Sequence, residues 1–149
     1  MKRMKKKTAR IIVVSVLVLI VGACWAFSVI IYNENTNQRF ESYKPLMLQV
    51  DDFDGLKCTK YKFPSDKGQM LSGFWYRSGG NQRGIIVIAH GFGGGCHNSY
   101  LDCVNAFAQH GYFVFAYDAT GNDESDGGGV GGFPQGVIDL DYAISFVED

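Results

Sequence analysis

Two uninterrupted apolar runs, residues 85–89 (IIVIA) and 112–117 (YFVFAY), constrain the fold of this chain more than any other feature. A strand with one wet face alternates apolar and polar residues, whereas a continuous apolar strand is covered on both faces. Between the two runs, residues 100–110 place Leu101, Val104, Phe107 and Ala108 at helical spacing, and Gly111 stands where a glycine cap ends a helix. Two apolar strands joined by a helix imply a parallel pair, because a parallel return needs a crossover. The fold class is therefore α/β. Upstream, residues 57–63 (KCTKYKF) alternate as a half-buried strand should, residues 64–68 carry turn chemistry, and residues 70–77 read as a second strand, giving a hairpin. Downstream, Val137, Leu140, Ile144 and Val147 fall on one helical face. A parallel pair of this kind calls for a further buried strand, expected after Asp149.

The N-terminal part obeys different physics. Residues 11–32 carry no charge, and at about 1.5 Å per residue they span roughly 33 Å as a helix, enough to cross a hydrocarbon core. Lys2, Arg3, Lys5, Lys6, Lys7 and Arg10 precede this run. That asymmetry predicts a basic cytoplasmic tail (1–10), a signal-anchor helix (11–32) in the plasma membrane, and the rest of the chain outside the cytoplasm. Val21-Gly22-Ala23-Cys24 loosely resembles a bacterial lipobox, but the apolar stretch continues past Cys24 to Tyr32 and favours an uncleaved helix. Residues 33–55 read as a tether. Residues 33–149 hold 8 basic and 15 acidic residues, a balance that argues against nucleic acid as a partner. The bilayer is the expected one.

The segment most informative about chemistry is His90-Gly91-Phe92-Gly93-Gly94-Gly95, directly after an apolar strand and before a helix. Acyl transfer needs backbone N–H groups aimed at the oxygen that becomes negative, and glycines let the backbone come close to a substrate. This segment resembles the oxyanion turn of the α/β-hydrolase family, His-Gly-x-x-Gly. A second likeness follows at Asp118-Ala119-Thr120-Gly121-Asn122-Asp123-Glu124-Ser125, where the family has Asp-x-x-Gly-x-Gly-x-Ser; Asp123 replaces the second glycine. The resemblance covers residues 56–149 as the N-terminal part of such a domain. It implies that the Phe92 N–H is one oxyanion donor, that His90, Gly91 and Gly93 support the turn, and that Asp118, Gly121 and Ser125 are structural loop residues. It implies an α/β-hydrolase-type sheet, hairpin first and parallel strands after, incomplete at residue 149. It also implies a serine hydrolase acting on an ester or small amide bond, or alternatively a non-catalytic binding module built on the same scaffold.

The family nucleophile sits in Gly-x-Ser-x-Gly, and no such pentad occurs in this chain. Ser125, in Asp-Glu-Ser-Asp-Gly, lacks the first glycine and the helix after it; Ser78 is weaker still. His97 and His110 lie near the first helix, too early for the family's catalytic histidine. The 149 residues alone are thus expected to be inactive, a small ester or peptide substrate requiring the rest of the domain. Other patterns carry less. Asn122, Glu124 and Asp126 copy half of a calcium loop, but its twelfth position is Phe133. Gly127, Gly129 and Gly132 fit a dinucleotide fingerprint ten residues too far from a strand. His90, Cys96, His97, Cys103 and His110 lack zinc spacing, so no metal and no cofactor are expected. Cys58, Cys96 and Cys103 are expected to be buried free thiols.

Overall fold

The computed structural model describes residues 6–80, 83–91 and 95–149. The chain divides into two compact units, one ending at Glu34 and one beginning at Asn35. The first is a single helix, α1 (Lys6–Asn35), long and apolar enough to cross a membrane, with none of its side chains buried. It runs unbroken through Cys24. The Ser28 hydroxyl donates to the Cys24 carbonyl one turn back at 2.9 Å, so this polar group is satisfied within the helix, as an apolar solvent requires.

The second unit holds strands β1 (Leu56–Pro64), β2 (Met70–Ser78), β3 (Ile85–Ile88) and β4 (Phe113–Asp118), with helices α2 (Leu101–Gln109) and α3 (Gly132–Glu148). The sheet order is β1-β2-β4-β3; β1 and β4 both flank β2 antiparallel, and β3 pairs with β4 in parallel. The expected hairpin and parallel pair are both present. Helix α2 ends as the glycine predicted: Gly111 adopts φ +85, its N–H bonds the Ala108 carbonyl, and the Tyr112 N–H reaches back to Phe107. These two bonds satisfy carbonyls that the helix would otherwise leave open.

Strand β4 is the hinge of the packing because its alternate residues face different layers. Val114 and Ala116 join Leu56, Phe74, Tyr76, Leu101, Val104 and Ala108 under α2. Phe115 and Tyr117 join Phe63, Leu71 and Ala143 under α3, where Phe63 and Phe146 stack at 4.9 Å. Each fully buried side chain of this size contributes about 1.5–3 kcal/mol.

Five expectations are corrected. Strand β3 is not covered on both faces: Ile85 is 44% exposed, because the sheet order leaves β3 at an edge. Strand β1 is the other edge, and its residues from Lys57 to Lys62 are exposed rather than alternately buried. Helix α3 starts at Gly132, ahead of the apolar stripe, and buries Gln135, Asp139 and Ala143, leaving Val137 and Ile144 exposed. Of the cysteines, Cys96 alone is buried; Cys58 lies on edge strand β1, and Cys103 is on the outer side of α2. Among the four α2 residues read as one buried face, Phe107 is exposed and leans on Tyr112.

Candidate active-site turn and its supporting network

The chain leaves β3 at its carboxyl end and enters the turn through His90 and Gly91. Phe92 and Gly93, assigned to the oxyanion turn from the sequence, lie outside the described residues. His90 Nε2 accepts the Ala119 N–H at 3.1 Å, so that nitrogen carries no proton. The other ring nitrogen, Nδ1, then holds the proton and donates to the Gly91 carbonyl at 3.1 Å. With both nitrogens engaged, the imidazole ties the end of β3 to the end of β4. Gly95 lies flat against this ring, where a Cβ would come within 2.8 Å of the His90 Cβ.

Asp118, at the end of β4, is fully buried. Its carboxylate accepts the His97 N–H at 2.7 Å, the Glu124 N–H at 3.2 Å and His97 Nδ1 at 2.9 Å. The His97 ring in turn stacks on Phe74, centroids 3.4 Å apart. The Asp118 carbonyl accepts the Ser125 hydroxyl, and Ser125 Oγ itself accepts the Ser72 N–H at 2.8 Å. Ser125 is thus a buried strut between two strands and the loop.

The stretch Gly121 to Gly131 is held from the other side by residues 36–42, part of the segment read as a tether. Main-chain bonds link Phe40 with Gly121 and Asp123, Gln38 with Val130, and Thr36 with Gly131. The Arg39 guanidinium donates to three carbonyls, those of Asp123, Ser125 and Gly127, at 2.7–3.0 Å. Asp123, where the resemblance has a glycine, takes the left-handed φ of +33 and accepts both the Ser42 N–H and the Ser42 hydroxyl. Asp is among the few side chains that tolerate this conformation.

A third cluster was not read from the sequence. Asp139 on α3 is fully buried and accepts the Ser65 hydroxyl at 2.7 Å, the Thr120 N–H at 2.7 Å, and the Thr120 hydroxyl and Gln135 amide at 3.0 Å. Burial pushes the Tyr117 phenol well up, and the Asp139 charge adds to the shift, so this hydroxyl stays protonated. At the surface, the amides of Gln135 and Gln69 hold the Asp66 carboxyl below its ordinary value. The signal for Asp139 was its helical spacing with Gln135 and Ala143, hidden because the stripe is half polar.

Between the strand ends and α3 lies a cavity of about 220 Å³, lined mainly by apolar groups, among them His90, Tyr117, Asn122, Phe133, Val137 and Leu140. The Asn122 carbonyl oxygen is the one buried side-chain oxygen or nitrogen without a partner among the described residues. The calcium-loop pattern does not converge: Glu124 pairs with Lys60, Asp126 accepts the Met70 N–H, and Phe133 is exposed. Of the metal-ligand types noted in the sequence, Cys96 and His97 do come together, with Asp118 as the third member.

A hairpin leading into parallel strands, a glycine-rich segment following the carboxyl end of β3, and helices on both faces define the N-terminal portion of an α/β-hydrolase sheet. Residues 80–149 match the family model of serine aminopeptidase, S33. The esterase Pf2001 of Pyrococcus furiosus aligns with a TM-score of 0.57 at 17% identity, over 76% of this chain and 40% of that one. The hypothetical protein PA2218 of Pseudomonas aeruginosa gives 0.54 at 21% identity, over 68% and 32%. Brefeldin A esterase, a bacterial homologue of human hormone sensitive lipase, gives 0.50 at 19% identity, over 68% and 29%. No curated protein matches the chain. The chain has the fold of the N-terminal part of an α/β-hydrolase, and residues 80–149 are serine aminopeptidase-like; it spans 40% or less of the length of these solved structures.

Proposed function

We propose that this chain supplies the oxyanion turn and one wall of the acyl site of a membrane-anchored serine hydrolase acting on ester or small amide bonds. The observation that carries the reading is the His90 bridge. It holds the entry to the glycine turn against the end of β4, beside an apolar cavity of about 220 Å³. In this reading the Phe92 N–H donates to the developing oxyanion, and the attacking serine comes from a Gly-x-Ser-x-Gly elbow outside these 149 residues. Helix α1 anchors the chain in the plasma membrane with the basic tail inside, and the acidic body lies outside the cytoplasm.

Ser125 is ruled out as nucleophile in this reading because its hydroxyl is buried and committed to Asp118 and Ser72. A fluorophosphonate probe is therefore expected to leave the 149-residue chain unlabelled, while a chain extended through an elbow segment labels stoichiometrically. Serine labelling of the 149 residues, or a reading frame beyond Asp149 without an elbow, would overturn the proposal. The unpartnered Asn122 oxygen supports a second reading, a non-catalytic module whose cavity takes a small apolar ligand with one hydrogen-bond donor. An extended chain that carries the elbow yet never labels would favour it.

A further inference from the structure

We infer that Cys96, His97 and Asp118 form a binding site for zinc or a similar borderline-soft divalent ion. A thiol, an imidazole and a carboxylate each offer one ligand atom here, and the three atoms lie within 4.8 Å of one another. His97 Nδ1 and Asp118 Oδ1 are 2.9 Å apart and would separate by about half an ångström to share a tetrahedral ion with bonds of about 2.0–2.1 Å. Zinc–sulfur bonds run to about 2.3 Å, so the thiol needs only a modest approach. A thiolate with nitrogen and oxygen donors selects zinc-type ions over calcium or magnesium. Cys96 and His97 also line a cavity of about 110 Å³, together with Lys44, Asn98, Asp123 and Glu124.

The surroundings suit the role. Cys96 and Asp118 are buried, and the His97 ring is fixed by its stack on Phe74. Asp118 Oδ1 accepts both the His97 N–H and His97 Nδ1, and Oδ2 accepts the Glu124 N–H; an ion would take the place of the Nδ1 contact on Oδ1 and leave both backbone bonds. The proton balance is simple. The Cys96 thiol loses its proton to solvent, and the proton that Nδ1 shares with Asp118 moves to Nε2, so each ion bound releases about one proton. Nothing in this site depends on the hydrolase proposal.

The test is Co²⁺ and Zn²⁺ titration of the full chain in detergent micelles, using the variant Cys24→Ser/Cys58→Ser/Cys103→Ser. All three replaced cysteines are exposed, so Cys96 is left as the one thiol. Expected are a thiolate-to-cobalt charge-transfer band saturating at one ion per chain with release of about one proton, and loss of that band as Zn²⁺ displaces Co²⁺ with no further proton release. His97→Gln is expected to weaken binding at least tenfold, since losing an outer-shell partner alone typically costs about 10–100-fold. Absence of the band in the triple variant overturns the inference. So does a band in the triple variant whose strength His97→Gln and Asp118→Asn leave unchanged.

Discussion

Gly121→Ala is expected to cost about 4 kcal/mol or more, and so to remove roughly a quarter or more of the stability of an ordinary domain. Gly121 sits at φ +72, a conformation that costs an L-residue about 1–2 kcal/mol before any contact is counted. A Cβ added there would stand 2.4 Å from the Gly129 carbonyl carbon and oxygen and 2.7 Å from the Val130 nitrogen. All three are main-chain atoms, so no rotamer change relieves the overlap. The loop would have to open, and opening it breaks the bonds from Gly121 to Asp126 and Phe40. Gly128→Ala is the control, because nothing lies within 4 Å of its added Cβ and its φ is ordinary. Urea unfolding of both variants decides the matter: a Gly121→Ala midpoint equal to that of Gly128→Ala would show that the crossing of the two loop arms is looser than the structure has it.

What the sequence revealed follows a physical division. The continuous runs of β3 and β4 and the cap at Gly111 were legible because each is a local pattern with a local cause. The layer each strand faces was only partly legible. Residues 85–89 read as doubly covered, yet coverage of β3 depends on what lies beyond its outer edge, and Ile85 is exposed. Helix α3 misled for a related reason. Its apolar stripe leaves Val137 and Ile144 exposed, Val137 at the cavity, while the face it buries carries Gln135 and Asp139 in hydrogen bonds that no hydrophobic periodicity encodes. At the candidate site, Asp118, Gly121 and Ser125 could be picked out by motif. The Arg39 strap could not, since it joins residues more than eighty positions apart. Cys96, His97 and Asp118 illustrate the same limit: their spacing matches no zinc pattern, and the fold alone brings β4 beside the entrance to α2.

Asp139→Ala is expected to destabilise the chain by about 3–5 kcal/mol, through donors left unpaired rather than through lost packing. The carboxylate gathers the Ser65 and Thr120 hydroxyls, the Thr120 N–H and the Gln135 amide in a fully buried site. Each donor without its acceptor costs about 1–3 kcal/mol. Relaxation and entering water recover part of that sum. Asp139→Asn should recover little of the loss, because turning one oxygen into NH₂ sets a donor against either the Thr120 N–H or the group bonded by Oδ1. Two readouts locate the effect. Hydrogen exchange at the Thr120 amide should accelerate ahead of the amides of β1, and a cycle with Ser65→Ala should show a coupling of about 1–2 kcal/mol. The Tyr117 phenol should titrate lower in Asp139→Ala, with burial, the larger cause, still holding it above its ordinary value. A stability loss below about 1 kcal/mol in Asp139→Ala, with the Thr120 amide still protected, would mean that α3 is held by the Phe63–Phe146 stack and its neighbours alone, and that the buried carboxylate is incidental to the fold.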